Sequence, residues 1–170
     1  MNYVVESYEN YREEDRLTTN NARKIEFITT TRILNEILGE NLKILDCAAG
    51  TGIYSFYLAD RGYNVTATDI TPRHIEIINN ELKSKSYKMD TAVLDATDMS
   101  IFPDNSFDVV LNMGPFYKIA MLYRTAGIIA LVNSLPRISE KAKLWSYSFS
   151  NKEVYKTCDN RLIGILVFIN

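Results

Sequence analysis

From residue 42 onward, short runs of β-branched and apolar residues alternate with stretches whose apolar positions recur every three or four residues. That alternation predicts strands and helices in turn, hence an α/β fold with a mainly parallel sheet and flanking helices. Leu42 to Asp46 is read as the first strand. Ile53 to Arg61 follows as a helix with Ile53, Phe56 and Ala59 toward the sheet, and Gly62 stands where a left-handed C-terminal cap is expected. Asn64 to Thr68 is the second strand, ending at Asp69. Thr71-Pro72 has the form of an N-cap followed by proline at the first helical position, ahead of Ile75, Ile78 and Leu82 at helical spacing. Thr91 to Leu94 is a third strand closed by Asp95. The turn cluster Pro103-Asp104-Asn105-Ser106 precedes a fourth strand over 107–112, a helix is expected within 120–138, and Leu144 to Phe149 is a fifth strand. Ahead of all these, Asn21 to Leu38 carries Ile25, Ile28, Ile33 and Ile37 at helical intervals, which predicts a helix packed on the sheet edge. Residues 1–20 are polar and tyrosine-rich and form either a disordered arm or a flap that orders over a ligand. Residues 21–170 are read as a single domain.

Composition narrows the function more than the fold. A chain of 170 residues, 46% of them hydrophobic, buries one core. With 19 Lys plus Arg against 21 Asp plus Glu the net charge is −2, so no overall cationic field exists to hold nucleic acid or an acidic membrane, and a small-molecule substrate is favoured. The two cysteines, Cys47 and Cys158, have no CxxC or zinc spacing, which fits a reduced cytoplasmic setting and no metal site. The N-terminus MNYVVESYENYREEDR has no basic region leading into an apolar stretch. The apolar-rich run 119–132 is interrupted by Arg124 and is shorter than the roughly 20 residues a spanning helix needs.

The candidate chemistry lies in ILDCAAGTGIYS, residues 44–55. A strand feeding a glycine turn and then a helix collects backbone N–H groups at one point, where an anionic group is expected. Gly50 and Gly52 let the backbone approach a ligand closely. Asp46 alongside would repel a pyrophosphate but suits a group bearing both a carboxylate and an ammonium, such as an amino-acid moiety. Asp69, at the end of the neighbouring strand, can accept two hydrogen bonds from a ribose diol. Asp95 and Ala96, after the third strand, can border an adenine ring, with the carboxylate accepting from its exocyclic amine. Ligands of open α/β sheets bind beyond the carboxyl ends of strands, so the three acids converge on one nucleoside plus amino acid. The main rival is a nicotinamide dinucleotide in an NAD-dependent oxidoreductase. Its fingerprint asks for glycine or alanine at position 55, which is Ser55, and does not ask for Asp46.

These residues resemble the class I S-adenosylmethionine-dependent methyltransferases, whose D-x-G-x-G-x-G signature stands here as Asp46-Cys47-Ala48-Ala49-Gly50-Thr51-Gly52, with Ala48 replacing the first glycine. NVTATDITPRHIE, VLDATDM and DNSFDVVLNMGPFYK resemble the stretches around the second, third and fourth strands of small bacterial members, and ENYREEDRLTTNNARKIEFITTTRIL their leading helix. The resemblance implies a Rossmann-like sheet in the order 3-2-1-4-5 plus one C-terminal strand, and S-adenosyl-L-methionine as cofactor. It implies cofactor contacts from Asp46, Ala48, Gly50, Gly52, Asp69, Ile70, Asp95, Ala96 and Asn112. Past residue 117 it thins: Ala142 and Lys143 stand where the family's glycine turn precedes the fifth strand, and Ser150 to Asn170 is too short for a full seven-stranded sheet, Leu162 to Ile169 supplying one closing strand.

Methyl transfer from a sulfonium is an in-line displacement that needs mainly proximity, collinearity and exclusion of water. Asn112 and Tyr117, in the loop leaving the fourth strand, are the candidates for positioning the acceptor, and Lys118 is a charged anchor. His74 is expected at the surface or at a helix end, and Cys47 as a small residue packed behind the loop. Two further functions stay open beside a small-molecule methyltransferase: a non-catalytic S-adenosylmethionine-binding domain without a substrate lid, and the nicotinamide enzyme. The sheet edge left by the short C-terminus predicts a homodimer.

Overall fold

The computed structural model describes the backbone over residues 21–112, 145–147, 154–156 and 163–164, and side chains over 24–25 and 27–112. The expected arm at 1–20, the helix within 120–138, Tyr117 and Lys118 lie outside the described residues. The elements are α1 (Asn21–Ile37), β1 (Lys43–Cys47), α2 (Ile53–Ala59), β2 (Asn64–Asp69), α3 (Pro72–Leu82), β3 (Asp90–Val93), β4 (Val109–Asn112), β5 (Trp145–Tyr147), β6 (Val154–Lys156) and β7 (Ile163–Gly164). Seven strands form one sheet in the order β3-β2-β1-β4-β7-β5-β6, every neighbouring pair parallel except β5 and β6. Chain order reverses at β1, flanked by β2 and β4, and such a switch point opens a crevice at the strands' carboxyl ends.

The 3-2-1-4 half of the expected order is therefore present, whereas the other half is corrected. β7, not β5, pairs with β4, and two strands rather than one extend the sheet past β5's expected place. Seven strands are reached by economy of length, since β5, β6 and β7 contribute three, three and two residues.

β1, β2 and β4 are buried along almost their whole length, with burial interrupted only at the leading Lys43 and Asn64. Ile44, Val65, Ala67, Val109 and Leu111 pack with Leu58 of α2 and with Ile75 and Ile78 of α3 into one core. α3 starts as expected, with Thr71 at the N-cap and Pro72 next, although the Thr71 hydroxyl makes no capping bond. Gly62 is left-handed at φ 85°, and its N–H closes the end of α2 on the Ala59 carbonyl at 2.9 Å.

α1 departs from its expected face at Ile25 and Ile28, while Ile37 keeps to it. Its buried side is Phe27, Thr30, Thr31, Leu34 and Ile37, while Ile25 and Ile28 are 57% and 63% exposed. The Phe27 ring lies 5.5 Å from Tyr54 and 5.7 Å from Tyr57, and the Tyr57 hydroxyl donates to Asn35 Oδ1 at 2.9 Å. Aromatic area on α2 thus sets α1's rotation, rather than the isoleucine spacing along α1 itself.

Candidate functional site

The turn between β1 and α2 is built from left-handed residues at alternate positions, Ala48 (φ 61°), Gly50 (φ 58°) and Gly52 (φ 83°). Glycine takes that conformation freely; Ala48 takes it at a cost of about 1–2 kcal/mol. The turn is tied down from within. Ala49 N–H donates to the Thr68 carbonyl (2.8 Å), Gly52 N–H to the Ala49 carbonyl (3.0 Å) and Gly50 N–H to Asp69 Oδ2 (2.8 Å). The anion seated at the glycine turn in this structure is the chain's own Asp69 carboxylate. A ligand therefore meets the two carboxylates first, and those three loop amides are already engaged.

Asp46 and Asp69 are both buried, at 2% and 6% exposure, yet their surroundings differ. Asp46 sits beside Ala67 of β2 and Leu111 of β4 in the sheet register, and its Oδ2 accepts one side-chain bond, from Ser55 Oγ at 2.5 Å. Burial pushes its pKa up from 3.8 to about 6; the Ser55 hydrogen bonds oppose that rise and the nearby Asp69 charge adds to it. Asp69 is held by three donors: Thr71 N–H at 2.8 Å and His74 Nδ1 at 3.2 Å on Oδ1, and Gly50 N–H on Oδ2. Burial alone would raise its pKa, but the His74 hydrogen bond and charge, with the Thr71 and Gly50 N–H groups, hold it below the ordinary carboxylate value.

The remaining expected residues fall around this pair. Ile70 is half-buried directly after Asp69. Asp95 is half-buried beyond β3, its Oδ1 accepting from Thr97 N–H (2.9 Å) and Thr97 Oγ1 (2.8 Å), and Ala96 is buried beside it. Asn112 ends β4 opposite Cys47 of β1, fully buried, and neither its Oδ1 nor its Nδ2 has a hydrogen-bond partner among the described residues. A buried amide with both ends unmet costs free energy unless something polar reaches it. The Cys47 thiol is fully buried, and burial, with the Asp46 and Asp69 charges, pushes its pKa up, so it is no nucleophile. A groove along α2 and α3, lined by Phe56, Ile77, Asn80 and Lys85 among others, takes in neither Asp46 nor Asp69.

Of the two places expected for His74, the helix end holds, in the first turn of α3, and the surface does not: the residue is 2% exposed and lies against Asp69. It and Ser55 are the two residues that sequence reasoning missed. Both signals were present: His74, Ile78 and Leu82 share one helical stripe, and Ser55 shares one with Leu58 and Ala59, so each polar residue lay on a face destined for burial.

An open α/β sheet with acids at the ends of adjacent strands and a glycine turn at the switch point defines a nucleoside-binding class. The family model described as "Methyltransferase domain" matches residues 44–129. The chain belongs to that family, the class I S-adenosylmethionine-dependent methyltransferases. A demethylmenaquinone methyltransferase of Clavibacter sepedonicus is 39% identical over 83 residues, 49% of this chain and 32% of that protein. A crystal structure of a Pyrococcus horikoshii OT3 protein is similar at TM-score 0.63 and 25% identity, over 78% of this chain and 60% of the other. A SAM-dependent methyltransferase of Methanosarcina mazei is similar at TM-score 0.55 and 26% identity, over 62% of this chain and 51% of that one. The chain spans about a third of the length of the curated relatives it matches. Among the described residues, no helix is long and apolar enough to cross a membrane, and no group of three His, Cys, Asp or Glu could hold a metal ion.

Proposed function

We propose that the chain binds S-adenosyl-L-methionine at the carboxyl ends of β1, β2 and β3 and transfers its methyl group to a small-molecule acceptor. The observation that carries this is the pair of buried carboxylates facing one glycine turn, Asp46 with a raised pKa and a single side-chain partner, Asp69 anionic and firmly held. The donor set fits the cofactor's groups. Asp46 takes the α-ammonium, whose positive charge relieves an ionised carboxylate that burial disfavours. Asp69 offers its remaining lone-pair capacity to the ribose, with Ile70 beside it, and Asp95 and Ala96 border the adenine. Ala48, Gly50 and Gly52 keep the backbone close to the ligand, and Asn112 supplies both a donor and an acceptor to a polar group above β4.

The cofactor supplies an electrophilic methyl carbon on a sulfonium. The protein's part is to hold that carbon in line with the acceptor and keep water out, with Asn112 and Tyr117 orienting the acceptor's amine or hydroxyl. The relatives' name makes demethylmenaquinone the first acceptor to try. Calorimetric titration with S-adenosylmethionine, S-adenosylhomocysteine and NADH, with Asp46→Asn as control, tests the cofactor. Binding of both adenosyl ligands, lost in the variant, supports the proposal; a folded chain that binds NADH and neither adenosyl ligand refutes it. A homodimer through a sheet edge is the expected assembly, and light scattering that stays monomeric at high concentration counts against it.

A further inference from the structure

We propose that His74 is a positioning residue for the nucleoside site: through Nδ1–H it fixes the plane of the Asp69 carboxylate, and affinity for a ligand's ribose hydroxyls depends on it. This rests on the adenosyl reading of the site given above. An imidazole buried to 2% on the stripe of α3 that carries Ile78 is a poor choice for packing alone, because a buried polar ring must be satisfied. Its Nδ1 is satisfied here by Asp69 Oδ1 at 3.2 Å. An ionised carboxylate only accepts, so the ring nitrogen facing it carries the hydrogen.

The geometry explains why that third donor matters. Thr71 N–H reaches Oδ1 from the chain two residues on, a local bond that still allows the carboxylate to turn about its last torsion. Gly50 N–H reaches Oδ2 from the glycine loop. His74 reaches the same oxygen from the first turn of α3, five residues on from Asp69, and as a side chain it adds a second direction to the hold on Oδ1 that does not depend on the glycine loop. A carboxylate has about four acceptor positions. With Thr71 and His74 both on Oδ1, its two positions are filled and the ligand-facing capacity is confined to Oδ2. His74 thus sets which oxygen a ribose hydroxyl meets.

The test uses the full chain with His74→Leu, which keeps bulk and loses the donor, and His74→Asn, whose Nδ2 sits as many bonds from the backbone as histidine Nδ1. Calorimetry reads the Kd for S-adenosylhomocysteine and for its 2′,3′-dideoxy analogue, after urea unfolding has shown each variant folded. We expect His74→Leu to weaken S-adenosylhomocysteine about tenfold, the loss of roughly one charge-assisted hydrogen bond. His74→Asn should stay within about threefold of the wild type, and all three proteins should bind the dideoxy analogue alike. If His74→Leu does not fold, His74→Gln against His74→Asn carries the same comparison, glutamine placing its amide one carbon too far and losing the affinity that asparagine keeps. Equal losses for both ligands, or no loss for either, overturn the proposal and leave the cofactor reading standing. A wild-type chain that binds neither ligand overturns both.

Discussion

Gly52→Ala separates two physical costs at one position. Gly52 stands at φ 83° and ψ 20° ahead of α2, and a Cβ there would lie 2.9 Å from Ile78 Cγ1, 3.0 Å from Ile78 Cδ1 and 3.3 Å from a Phe56 ring carbon. The left-handed conformation costs an L-residue about 1–2 kcal/mol. Ile78 cannot swing aside cheaply, because it is fully buried and its branched Cβ confines it to one helix rotamer, so overpacking adds about 1–3 kcal/mol. Reduced freedom of the unfolded chain returns about 0.4–1 kcal/mol. The net expectation is a loss of about 3 kcal/mol. Gly62→Ala is the internal control: φ is 85°, yet nothing lies within 4 Å of the new Cβ, so it should cost only about 1 kcal/mol. Urea unfolding followed by circular dichroism reads both. In an Ile78→Ala background, itself destabilised by about 2–5 kcal/mol, the cost of Gly52→Ala should shrink to about 1 kcal/mol because only the conformational part remains. An undiminished cost in that background would refute the contact, and a Gly52→Ala loss no larger than that of Gly62→Ala would refute the crowding altogether.

Asp46 binds its proton more tightly folded (about 6) than unfolded (3.8), so its contribution to stability falls as pH rises between these values, by about 3 kcal/mol in all. Asp46→Asn should therefore stabilise the ligand-free protein at pH 8 by up to that amount and change little at pH 4; urea curves at the two pH values showing no difference would contradict this. The same group makes affinity for a cationic ligand fall about tenfold per unit below pH 6, read by titration calorimetry from pH 5 to 8. Ser55→Ala removes the donor to Asp46 and should cost about 1–3 kcal/mol at pH 8 and less at pH 4, where the carboxyl is neutral. Asn112→Leu removes a buried amide that has no hydrogen-bond partner among the described residues, so it should stabilise the free chain by about 1–3 kcal/mol while weakening S-adenosylmethionine binding. Destabilisation would mean that the amide is satisfied.

The strands and helices that carry the site were legible because each is marked at its ends by residues with a local mechanism: the glycine turn after β1, Gly62 after α2, and Thr71-Pro72 before α3. Asp69 closes β2 as alternation predicts, while Asp46 is next to last in β1 and Asp95 lies two residues past β3. What stayed hidden depends on partners distant in sequence. α1's rotation is set by Tyr54 and Tyr57, whose approach to Phe27 is tertiary. The insertion of β7 beside β4 is a pairing between segments some fifty residues apart, which local pattern does not decide. Ser55 and His74 show a polar residue on a buried stripe, readable as a demand for a partner, although the partner's identity needs the fold.

The two carboxylates at the turn behave oppositely, and that decides how the site should be probed. Asp69 is satisfied by three donors from its own chain, and its depressed pKa contributes stability above the unfolded value that is lost as pH falls through the folded one. Removing it releases Gly50, Thr71 and His74 at once, taking the acceptor from two backbone amides and from the His74 Nδ1–H. A binding defect in Asp69→Ala would then mix a lost ribose contact with a disordered turn. Asp46 is under-satisfied, and its ionised form is a cost in the free protein that a cationic ligand group relieves. Asp46→Asn keeps an acceptor for Ser55 and removes only the charge, so it should separate binding from folding by moving them in opposite directions: a more stable chain above pH 6 that holds S-adenosylmethionine less well.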